Sequence, residues 1–386
     1  QEATISGTRI DAHGQLMAEL ERTGLLNRTI EQLPRADELL ERARTRSGLL
    51  KPELSVLLTY AKQSLMSRLL ASPLPDEPAF QEVLRSYFPP EINNRFGHLI
   101  PEHPLRRELV ATLVANRVIN SEGITFVSRL VAETGSTPED VVRAYRVARA
   151  VTDAGDRWRS VELLVDTVDS SVQRELLTGI DELVEEVTRW QLIRADMRSV
   201  EDRIAAFHPG FIELAAGIRT VGPEQWIEAH DREHQRLVDS GVPAEVAVSH
   251  IYQRDLRNGC DIIEVAFNSR EPVLDVAHIF IQLGSALQIN RLMSQVAKMQ
   301  ARTYWQRQAL RVISDDLVLL LRRFSERVVA DSNGRTASAA VDHYLAERTQ
   351  AIGHLARFFR NLTVDGAPEV ASLIVAVRRI EQLLRS

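Results

Sequence analysis

Two short stretches carry residue types whose spacing suits catalysis. His230, Glu233 and His234 spell HxxEH. Helical residues four apart share a face, so the two imidazoles could hold a zinc ion while Glu233 polarised its water. A third ligand and a shaped cleft are also required, and Glu264 is only a formal candidate. A solvated helix face with ion pairs is therefore preferred, and no metal site is assigned. Cys260 follows Gly259 at an expected helix start, where the dipole would stabilise a thiolate. The nearest base, His250, lies two or more turns away across a break, so Cys260 reads as structural. Trp158, Trp190, Trp226 and Trp305 fall on helical stripes and read as core. GxSxG is absent, and no catalytic residue is nominated.

A third stretch is polar in an unusual place. In HPLRRELVATLVANRVIN, residues 103 to 120, Arg106, Arg107, Asn116, Arg117 and Asn120 interrupt an apolar helix. Asn116 and Asn120 stand one turn apart, so both amides face one way. Arg106, Arg107, Asn116 and Asn120 are the candidates for a domain interface. The amides are expected to bond mainly within the fold, and the arginine forks to reach carboxylates or carbonyls of a neighbouring domain.

Helices must position these groups, because apolar steps of three and four recur almost everywhere. Pro52 opens a helix over 52–71 with Leu54, Leu57, Leu58, Ala61, Leu65 and Leu69 on one face. Prolines 73, 75, 78, 89 and 90 predict a loop holding one short helix. Helices resume at Pro104 and stop near Gly123 and Gly135, after which Ser136 or Thr137 caps the next. From Trp158 to Trp190 the stripe is unbroken, and Asp169 could cap a second helix within it. Later punctuation falls at Pro209, Gly222, Gly241, Gly259 and Pro272, and closing helices are expected over about 339–361 and 367–385. The predicted class is all-α, a multi-helix bundle or layered helical architecture with no substantial sheet. It divides into a first module, 1–155, a bundle, 156–330, a flexible loop, 331–338 (DSNGRTAS), and closing helices, 339–386.

Composition narrows function by exclusion. The chain has 386 residues, 44% hydrophobic and 26% charged, which suits a globular protein of two or three domains. Its 18 glycines never stand closer than five positions, so GxGxxG is absent, and the one GxxxxG, Gly217 to Gly222, continues into Pro223 and Glu224 rather than Lys and Ser or Thr. A net charge of −6 with interspersed signs argues against a nucleic-acid partner. The only lysines are Lys51, Lys62 and Lys298, which removes most candidates for a Schiff base. One cysteine fits a reducing compartment, and no apolar run is long enough for a membrane span, so a cytoplasmic location is expected. The first residue, Gln1, suggests that something upstream is missing.

Several segments resemble one known family. LLKPELSVLLTYAK from Leu49, SYFPP from Ser86, HPLRRELVATLVANRVINSEGITFVSRL from His103 and ETG from Glu133 are similar to the region after the catalytic domain in the large bacterial NAD-specific glutamate dehydrogenases. VVRAYRVAR, LGSALQINRL, the isolated Trp305 and VASLIVAVRRIEQL extend the similarity to nearly the whole chain. The resemblance implies a parent enzyme that uses NAD to convert L-glutamate to 2-oxoglutarate and ammonium, with its active site in an upstream dehydrogenase domain. It implies no cofactor and no catalytic residue in these 386 residues, a structural or regulatory role beside that domain, and a homo-oligomeric parent. An independent helical module that binds a ligand or another protein is the alternative.

Overall fold

The computed structural model describes residues 9–45, 47–194, 198–299, 301, 304–361 and 369–385. All regular structure among them is helical, in 21 α-helices and three short 3₁₀ turns, and no strand occurs there. The all-α expectation is met because the apolar repeat has the helical period and becomes the buried face: Leu54, Leu57, Ala61, Leu65 and Leu69 all lie in the core. No helix among the described residues is long and apolar enough to cross a membrane.

Contacts divide the chain into two compact units with the boundary between Ala206 and Phe207. The first holds α1 (Ile10–Arg22), α2 (Ala36–Thr45), α3 (Lys51–Ala71), α4 (Pro78–Arg85), α5 (Pro90–Phe96), α6 (Arg106–Glu122), α7 (Phe126–Thr134), α8 (Pro138–Val151), α9 (Ala154–Glu162) and α10 (Ser170–Ile193). Its main pairings are α8 on α10 and α3 on α6. Residue 155, after which the sequence predicts a division, lies at the start of α9, which packs on α8 and α10 inside this unit.

Local signals set the ends of these helices. Thr137 caps α8 through a capping box, its Oγ1 accepting from the Asp140 amide at 3.2 Å, with Pro138 in the first turn. Gly135 ends α7 at φ 70°, a left-handed conformation that costs glycine little. Asp169 accepts from the Ser171 amide at 2.7 Å, which starts α10 and splits the Trp158–Trp190 stripe into two helices. Val165 falls in the turn between them and is exposed. The proline-rich stretch is more helical than expected, since Pro78 and Pro90 each occupy a first turn where the missing N–H costs nothing.

Helix α11 (Val200–Gly217) runs across the unit boundary. The second unit continues with α12 (Glu224–Asp239), α13 (Ala244–Ile251), α14 (Gln253–Leu256), α15 (Gly259–Ser269), α16 (Val273–Ala286), α17 (Ile289–Lys298), α18 (Tyr304–Ala330), α19 (Ala337–Glu347), α20 (Thr349–Asn361) and α21 (Val370–Arg385). The core is built on α18, against which α15, α16, α17, α19 and α21 pack.

Three boundaries differ from the sequence reading. Pro209 lies inside α11 rather than ending it, because Phe207, Phe211 and Leu214 are buried around it and their packing outweighs one lost backbone bond. The predicted 339–361 helix is two, broken at Arg348, whose guanidinium lies 3.9 Å over the Tyr344 ring. In 331–338 the last two residues already belong to α19, capped by Thr336. The expected start of the closing helix at 367 falls outside the described residues.

Candidate functional site

Arg107 acts inside the first unit. Its Nη2 donates to the carbonyls of Leu70 at 2.9 Å and Ser72 at 2.8 Å, at the end of α3, where carbonyls lack helical partners. Its Nη1 meets the Asp76 carboxylate, and Arg106 reaches Asp76 at 3.4 Å. The first turn of α6 is thereby clamped to the last turn of α3. Asn116 is half-buried and Asn120 exposed, and neither side-chain amide makes a hydrogen bond to a described residue. Among the described residues the two arginines bond within the fold and the two side-chain amides do not. The fork spans carbonyls more than 30 residues distant, a partnership that no spacing along α6 could announce.

The middle of α6 faces a feature that the sequence reading missed. A cavity of about 240 Å³ opens between α4, α6 and α8, with Phe80, Val83, Val114, Val118 and Val142 among its lining residues. Arg117, Arg146 and Arg149 stand around it with Tyr145. The signal was the VVRAYRVAR segment, which sets Arg143, Arg146 and Arg149 three apart along one face of α8. At the end of α6, Glu122 is buried, and burial, then Asp181 and Glu185, push its carboxyl well above the usual range.

The other candidates have structural partners. On α12, His230 Nδ1 lies 2.8 Å from the Trp226 carbonyl and Nε2 2.9 Å from Asp255 Oδ2, and its ring stacks on Tyr252 at 4.8 Å. Glu233 pairs with Arg236 at 2.6 Å, and His234 Nε2 lies 3.4 Å from the Ala244 carbonyl. No group of three or more potential metal ligands occurs among the described residues. Glu264, the formal third ligand, meets Arg322 on α18, which also bonds Glu326 at 2.8 Å and reaches Asp261 at 3.4 Å. Cys260 is buried in α15. Trp158 is half-buried and donates to Asp181 at 3.2 Å, and Trp190 and Trp226 are half-buried too. Trp305 is 77% exposed, so it is not the core residue expected from its stripe.

The family profile described as "Glutamate dehydrogenase, C-terminal" matches residues 46–382. The NAD-specific glutamate dehydrogenase of Halomonas elongata is 32% identical over 388 residues, covering 99% of this chain and 24% of that protein. Those of Pseudomonas aeruginosa and Mycobacterium tuberculosis are 30% and 28% identical, over 98% and 94% of the chain and 24% and 22% of their own lengths. The chain thus spans about a quarter of the relatives it matches. Matched by the family profile over most of its length, the chain belongs to the glutamate dehydrogenase C-terminal family.

Proposed function

We infer that this chain is the C-terminal helical part of a longer NAD-dependent glutamate dehydrogenase, whose whole polypeptide converts L-glutamate to 2-oxoglutarate and ammonium. The observation that carries the reading is the coverage: relatives named for that activity align with nearly all of this chain, while about three-quarters of each lies elsewhere. The lack of a glycine-rich pyrophosphate loop in the sequence supports placing NAD and catalysis in an upstream dehydrogenase domain. This part then braces that domain or limits its opening, within a cytoplasmic homo-oligomer. Asn116 and Asn120 are the preferred contacts to the dehydrogenase domain, since amides one turn apart without internal hydrogen bonds are free to meet another surface. Arg106, 43% exposed, can join them, while Arg107 holds the helix that presents them.

The test is turnover with glutamate and NAD, followed by NADH absorbance, for the 386-residue chain and for the full-length polypeptide. The isolated chain should be folded, strongly helical and inactive, and the long polypeptide active. Turnover by the isolated chain within about tenfold of the long one overturns the reading. Asn116→Ala with Asn120→Ala should lower activity or assembly of the long polypeptide while the isolated chain melts within about 1 kcal/mol of wild type.

A further inference from the structure

The arginines of α8 are neutralised unevenly along the helix. Arg143 is fully engaged, with Glu77 at 2.7 Å and Asp140 at 2.9 Å. One turn on, Arg146 lies 3.5 Å from Glu82, whose side chain is 83% exposed, a pairing that water weakens. A further turn on, Arg149 donates only to the Tyr145 hydroxyl, at 3.3 Å, among the described residues. Across the cavity on α6, the exposed Arg117 guanidinium makes no hydrogen bond to a described residue. Two half-buried arginines elsewhere in this unit are matched in forked pairs, Arg42 by Glu53 at 2.7 and 3.0 Å and Arg129 by Glu185 at 2.7 and 2.8 Å. Arg117, Arg146 and Arg149 share one concave, apolar-floored space, which Glu82 also lines.

Folding alone gives no reason to gather like charges there. Arg117 keeps contact with solvent, yet partial burial, then Arg149 and Arg146, pull its guanidinium below its ordinary value, as expected where like charges are gathered. Glu122, whose carboxylate would offset Arg149, is driven toward its uncharged form by its own burial. We propose that this cavity is a binding site for a small organic oxyanion, its carboxylate or phosphate held by Arg117 and Arg149 and its apolar body seated on Phe80, Val83 and Val118. Planar guanidinium forks suit both acid groups, and the floor adds apolar contact that inorganic ions cannot use. The site lies wholly within the first unit, and it stands whether or not the longer polypeptide has the activity proposed above.

Calorimetric titration and melting of the 386-residue chain test it, with phenyl phosphate and benzoate as probes and phenol at matched ionic strength as the neutral control. Saturable binding of at least one anion up to ~10 mM is expected, with a rise in Tm. Tighter binding of phenyl phosphate would assign a phosphate ligand, and tighter binding of benzoate a carboxylate. Arg117→Gln with Arg149→Gln should weaken the preferred probe at least about tenfold, and the paired Lys variants, which keep the charge without the fork, should fall between. The Lys pair also serves as the folded comparison if the Gln pair unfolds. The proposal is overturned if neither anion binds saturably, if phenol binds as well, or if every variant binds like wild type.

Discussion

His230 faces a hydrogen-bond acceptor at each ring nitrogen, so its protonated form is the one that satisfies both. Burial disfavours the cation, but the bonds to Asp255 and the Trp226 carbonyl prevail, and the imidazole titrates above its ordinary 6.5. A folded-state value raised above the unfolded one contributes stability that is complete below about pH 6.5 and is lost as pH rises through the raised value. Asp255→Asn should therefore cost roughly 1 to 3 kcal/mol at acidic pH and clearly less at pH ~9, measured by urea denaturation at both. Equal losses at the two pH values would assign the effect to packing of the Trp226, His230 and Tyr252 rings instead. The same contacts engage both nitrogens of His230 within the fold.

Between elements, single arginines do the joining. Arg107 ties α6 to the end of α3, and Arg322 of α18 ties that helix to α15 through Asp261 and Glu264. Arg107→Ala should destabilise the chain by about 1 to 3 kcal/mol, because two carbonyls and Asp76 lose their donor, whereas Asn116→Ala should stay within about 0.5 kcal/mol. Chemical denaturation of the two variants side by side decides whether the clamp or the amides hold the fold. Arg322→Ala withdraws a cation from Asp261, whose side chain is only 4% exposed, and should cost on the order of 3 kcal/mol. Stability unchanged in that variant would mean that other groups around Asp261 carry its charge.

At the scale of the molecule, two units with separate cores imply separable stability. Scanning calorimetry of the chain should resolve two transitions, with Arg107→Ala lowering one and Arg322→Ala the other. A single transition lowered by both variants would show that α11, continuous across the boundary, couples the units into one cooperative block.

What the sequence determined by itself was local. The all-helical class followed from apolar steps of three and four, and helix ends followed from Pro52, Thr137, Gly123 and Gly135, because a helix and its caps form between residues at most a few positions apart. The absence of nucleotide loops was equally readable, since such a loop is a contiguous motif. The tertiary structure alone decided where the side chains went. Arg143 finds Glu77 across 66 residues, Arg129 finds Glu185 across 56, and Arg322 finds Asp261 across 61. Pro209 was tolerated because distant packing outweighed a local rule, and the cavity exists only because α4 and α6 lie against one another and bring Arg117 opposite the α8 stripe. A guanidinium is a long, flexible fork with five donors, and its own helix position says where it starts but not which of many carboxylates and carbonyls the fold will bring to it.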